Sequence, residues 1–90
     1  MRIRDGFLLR DVSGACIVVP LGERVVDFNG LITLNETGRA LWERLTTGCE
    51  LGELVDTLVR DFAVTRGDAA RDVHAFMEDL RAKDLLVECP

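Results

Sequence analysis

The chain has 90 residues and a mass of 10.0 kDa, so it reads as a single domain over 1–90, domains running to ~100–200 residues. A chain this short buries only about 60–65% of its unfolded surface, which argues against a catalytic cleft walled by two lobes. Its composition is 48% hydrophobic and 30% charged with a net charge of −5, the profile of a globular domain. The charge opposes binding to nucleic acid, which needs clustered Lys and Arg, and to anionic lipid.

Cysteine and histidine usage narrows the chemistry. Cys16, Cys49 and Cys89 are odd in number and far apart, with no C-x-x-C pair, which fits a reducing cytoplasm. Met1-Arg2-Ile3-Arg4 is followed by no long apolar run, so neither a signal peptide nor a membrane span is expected. His74 is the only histidine. Most acid–base, nucleophile and metal constellations are therefore missing, and no cofactor is expected.

The elements follow in chain order. Phe7–Val12 and Ala15–Pro20 are apolar, β-rich runs separated by Ser13-Gly14, a hairpin signal. Pro20 marks a strand end or an edge. Residues 24–28 and 31–34 flank Asn29-Gly30, a second hairpin signal. The run 24–28 is either its own strand or the bent continuation of 15–20. Asn35-Glu36 opens a helix: Asn35 caps free amides and Glu36 suits the positive end. Leu41, Trp42 and Leu45 form its apolar stripe, and Gly48 stops it. Leu51, Leu54, Val55, Leu58 and Phe62 share one face of a second helix. Thr65-Arg66-Gly67-Asp68 has capping-box spacing, with Ala69, Val73, Phe76, Met77 and Leu80 along a third helix to about Lys83. Leu85–Val87 closes as a short strand or packs as a tail. The expected fold is α+β and winged helix-turn-helix-like. Its N-terminal antiparallel sheet has three short strands, or four if 24–28 stands alone, and three helices follow.

Five pieces of this pattern resemble the PqqD-like family. They are Gly6-Phe7-Leu8-Leu9-Arg10, then Phe28 through Gly38, then Leu41-Trp42, the Leu51–Leu58 helix, and Asp72-Val73 through Leu85-Leu86. The specific part is Leu34-Asn35-Glu36-Thr37-Gly38 followed by Leu41-Trp42. Asp84 departs from the pattern, standing where glycine is common. The resemblance implies a non-catalytic chaperone for ribosomally made, post-translationally modified peptides. In such proteins the leader of a precursor adds as an antiparallel strand, in a groove between the third strand and the third helix. The core of the precursor is then presented to a modifying enzyme, often a radical-SAM enzyme.

On these residues the expected strand edge is Leu31, Ile32, Thr33 and Leu34, or Val25, Asp27 and Phe28 in 24–28 if the sheet closes the other way, with the amides of Ile32 and Thr33 as candidate edge donors. An unpaired edge offers main-chain groups at fixed spacing, and alternate side-chain pockets add specificity. The opposing wall would be Arg71, Val73, Phe76, Met77, Leu80 and Lys83, although by spacing alone Val73, Phe76 and Leu80 read first as core residues. Arg71, Arg81 and Lys83 are candidates to meet leader carboxylates, since the family's leaders are often acidic. Two other readings compete: a winged-helix DNA-binding regulator and an adaptor for a protein partner only. Against the first, 66–83 balances Arg66, Arg71, Arg81 and Lys83 against Asp68, Asp72, Glu78 and Asp79. An open edge also makes a monomer or a weak homodimer the expected state.

Overall fold

The computed structural model describes residues 1–21 and 32–87. The strands are β1 (Arg2–Ile3), β2 (Phe7–Val12), β3 (Ala15–Pro20), β4 (Ile32–Leu34) and β5 (Leu86–Val87). The helices are α1 (Glu36–Thr47), α2 (Leu51–Phe62) and α3 (Arg66–Ala82). An antiparallel sheet in the order β2-β3-β4 is therefore followed by three helices, as the sequence predicts. The predicted strand at 24–28 and the Asn29-Gly30 turn lie outside the described residues.

Local chemistry explains most of these elements. Ser13 and Gly14 both take positive φ, 51° and 81°, which makes the two-residue turn that suits the twist of a hairpin. Asn35 Oδ1 accepts from the Gly38 amide at 2.8 Å and caps α1. The Glu53 carboxylate accepts from the Glu50 amide at 3.1 Å at the start of α2. Thr65 Oγ1 accepts from the Asp68 amide at 3.2 Å at the start of α3.

The core joins all layers. Val18 comes from the sheet, Leu41, Trp42 and Leu45 from α1, and Leu54 and Leu58 from α2. Ala69, Val73, Met77 and Leu80 come from α3. Thr57 is buried too, but its hydroxyl donates to the Glu53 carbonyl at 2.8 Å, so it is not left without a hydrogen-bond partner. Leu51, expected on the α2 stripe, stays 46% exposed at the first position of the helix.

One element was not foreseen. β1 pairs antiparallel with β5, Arg2 opposite Val87 and Ile3 opposite Leu86. The chain's two ends are thereby tied beside the last turn of α3. That turn closes with the Leu85 amide donating to the Leu80 carbonyl at 2.9 Å and the Asp84 amide to Arg81 at 3.1 Å. Such a stop needs a left-handed residue, normally glycine. Asp84 fills it at φ 58°, one of the few side chains that tolerate this conformation. Arg4 holds it there, with Nη2 on the carboxylate at 2.9 Å and Nε on the carbonyl at 3.0 Å.

Candidate peptide groove at the sheet edge

Among the described residues the outer edge of β4 has no strand partner. Which of its backbone groups face that edge follows from the hairpin. In a two-residue hairpin the residues flanking the turn exchange hydrogen bonds, and the pattern alternates from there. Val12 and Ala15 flank the turn, so positions 15, 17 and 19 bond toward β2. The Leu21 amide on the Gly6 carbonyl, at 2.7 Å, continues the same alternation. Cys16 and Val18 consequently bond toward β4, and their partners there are Leu34 and Ile32. Thr33, opposite Ile17, is left with its N–H and C=O pointing outward. This corrects the sequence expectation for Ile32, whose amide belongs to the sheet interior.

Beside that edge lies an open cleft of about 380 Å³, lined by Ile32, Thr33, Leu34, Asn35, Gly38, Phe76 and Asp79. Ile32 and Leu34 share the inner face with Cys16 and Val18, while Thr33 points to solvent. Phe76 supplies the α3 wall and is half-buried. Gly38 keeps the floor open: a Cβ there would stand 3.1 Å from Asn35 Oδ1 and 3.4 Å from the Phe76 ring. Spacing alone did not find Gly38; its signal was the Leu-Asn-Glu-Thr-Gly match.

The structure divides the expected site residues. Ile32, Thr33, Leu34 and Phe76 come together around the cleft. Val73, Met77 and Leu80 are 0%, 1% and 2% exposed; they face the core and leave no surface for a ligand. Arg71 is five positions from Phe76, about 140° round the helix, and its nearest acid is Asp68 at 3.7 Å. It cannot serve the groove. Lys83 follows Phe76 by seven positions and so shares its flank, but its ammonium is held by Asp79. Val25, Asp27, Phe28 and Leu31 lie outside the described residues.

A second cleft, about 400 Å³, sits at the α1–α2 turn between Met1, Arg2, Thr47, Gly48, Cys49, Glu50 and Glu53. Burial pushes the Cys49 thiol up, and the nearby Glu53 adds to the shift, so its thiolate is scarce near neutral pH. That cleft offers no activated nucleophile. His74 is exposed and lies 3.3 Å from Glu78. Among the described residues no cluster of three His, Cys, Asp or Glu side chains is placed to hold a metal ion, and no helix is long and apolar enough to cross a membrane.

The family model of coenzyme PQQ synthesis protein D (PqqD) matches residues 16–86. The chain belongs to the PqqD family. No curated protein sequence matches it. Two solved structures share its fold. One is TbiB1 in complex with the TbiA(beta) leader peptide, with a TM-score of 0.76 at 23% identity, covering 100% of this chain and 99% of that one. The other is lasso peptide synthetase B1 complexed with the leader peptide, with a TM-score of 0.74 at 21% identity, covering 97% of this chain and 96% of that one. For this PqqD-family chain the β4–α3 cleft is accordingly the candidate site.

Proposed function

We propose that this protein is a non-catalytic peptide chaperone that takes the leader of a ribosomal precursor as an added strand on β4. The observation that carries the reading is the outward N–H and C=O of Thr33 above a cleft roofed by Phe76. A strand edge binds extended chains through main-chain hydrogen bonds, and the neighbouring cleft receives the side chains that alternate toward α3. The family and the two leader-bound structures of the same fold support it. The finer steps belong to the same proposal: the bound precursor is handed to a modifying enzyme, of the radical-SAM class in the family pattern. The protein works in a reducing cytoplasm as a monomer or a weak homodimer.

Titrating the leader of a precursor encoded beside the gene into isotope-labelled protein tests this. Amide shifts should concentrate at 32–38 and along the Phe76–Lys83 flank of α3. Shifts confined to the α1–α2 turn or to β2 would overturn the groove reading.

A further inference from the structure

The charge around the groove is opposite to what an acidic ligand needs. Asp79 lines the cleft itself. Asp72 lies one turn before Phe76 on the same flank and makes no ion pair with any described residue. Among the described residues the cation on that flank is Lys83, and it is already on Asp79. Arg71 points elsewhere, and the whole chain carries −5. Local and global fields therefore both repel an acidic segment and attract a basic one.

The strand geometry says where such charge would be felt. A ligand residue opposite Thr33 points outward with it, and its two neighbours, opposite Ile32 and Leu34, point toward α3. Those two positions are i and i+2 of the ligand. The surface they meet is apolar at Leu34, Gly38 and Phe76 and anionic at Asp79. Lys83 shows that this carboxylate accepts an ammonium in this setting. Its pair is exposed, with side chains 41% and 56% accessible, so a ligand cation replaces it at little cost.

Resting on the leader-binding reading above, we propose that the groove selects an extended segment with an apolar and a cationic side chain two positions apart, the first seated on Phe76 and the second on Asp79. The ligand class is thus a basic-apolar leader segment and not an acidic one.

The test is a selection of random dodecapeptides by display on the full chain, followed by affinity measurement of the winners. They should share an apolar residue with Lys or Arg at i+2 or i−2. Asp79→Asn should weaken them about two- to fivefold, the range of an exposed ion pair, and Asp79→Glu should not. Lys83→Ala, which removes the internal competitor, should tighten them by about twofold. Winners with acidic or uncharged residues at that spacing, or with affinity indifferent to Asp79→Asn, would overturn the charge preference. If those winners still lose binding in Thr33→Pro, with its fold verified by circular dichroism, strand addition survives. If no peptide is retained, or retention ignores Thr33→Pro, both readings fail.

Discussion

Two flanks of helix α3 carry apolar residues at one helical spacing, and those residues behave differently in the fold. Val73, Met77 and Leu80 lie on one and are sealed in the core. Phe76 lies on the other and divides itself between the core and the open cleft under β4. The difference comes from what stands opposite. The first flank packs against α2; the second meets a sheet edge across Gly38, whose missing Cβ leaves the gap unfilled. A helix stripe identifies residues that must avoid water, and only its neighbours decide which of them stay reachable.

Mutations should separate the two flanks. Leu80→Ala should have the largest effect, about 2–5 kcal/mol of stability in denaturant unfolding, with peptide affinity unchanged per folded molecule. Phe76→Ala should cost less, roughly 1–2 kcal/mol, because a half-buried ring loses less contact than the ~3–5 kcal/mol of a fully buried one. It should also weaken peptide binding, which Leu80→Ala should not. Gly38→Ala should cost about 1 kcal/mol, because the new methyl crowds the Asn35 cap, and should narrow the groove enough to lower affinity in calorimetric titration. Arg71→Glu should be the mildest, within about 0.5 kcal/mol, and should leave peptide affinity unchanged. A large binding loss from Arg71→Glu would mean that the wrong flank of α3 has been assigned to the ligand.

Much of this was legible in the chain. The Ser13-Gly14 turn, the Asn35 cap and the Trp42 stripe each carry their own local signal and fold accordingly. The β1–β5 pair was not legible, because Arg2-Ile3 is too short to show a period and its partner lies more than 80 positions away. Asp84 reads as a departure from the family pattern, and only the contact with Arg4 explains why a non-glycine residue stands there. At the candidate site, Ile32 through Leu34 and Phe76, which the sequence places on the strand edge and the third helix, line one cleft. Val73, Met77 and Leu80 share Phe76's spacing, so periodicity could not remove them. The distinct role of Thr33 depends on the β3–β4 register, and those strands are not joined by a two-residue turn such as the one that pins β2 to β3.

The most direct measurement is hydrogen exchange at the Thr33 amide, followed by NMR in free protein and with a bound leader. Strand addition on β4 predicts that Thr33 slows by roughly tenfold or more on binding, as an exposed amide gains a partner. Ile32 and Leu34, already bonded to β3, should change much less. An unchanged Thr33 amide in a leader-saturated sample, or one fully protected before any leader is added, would contradict it.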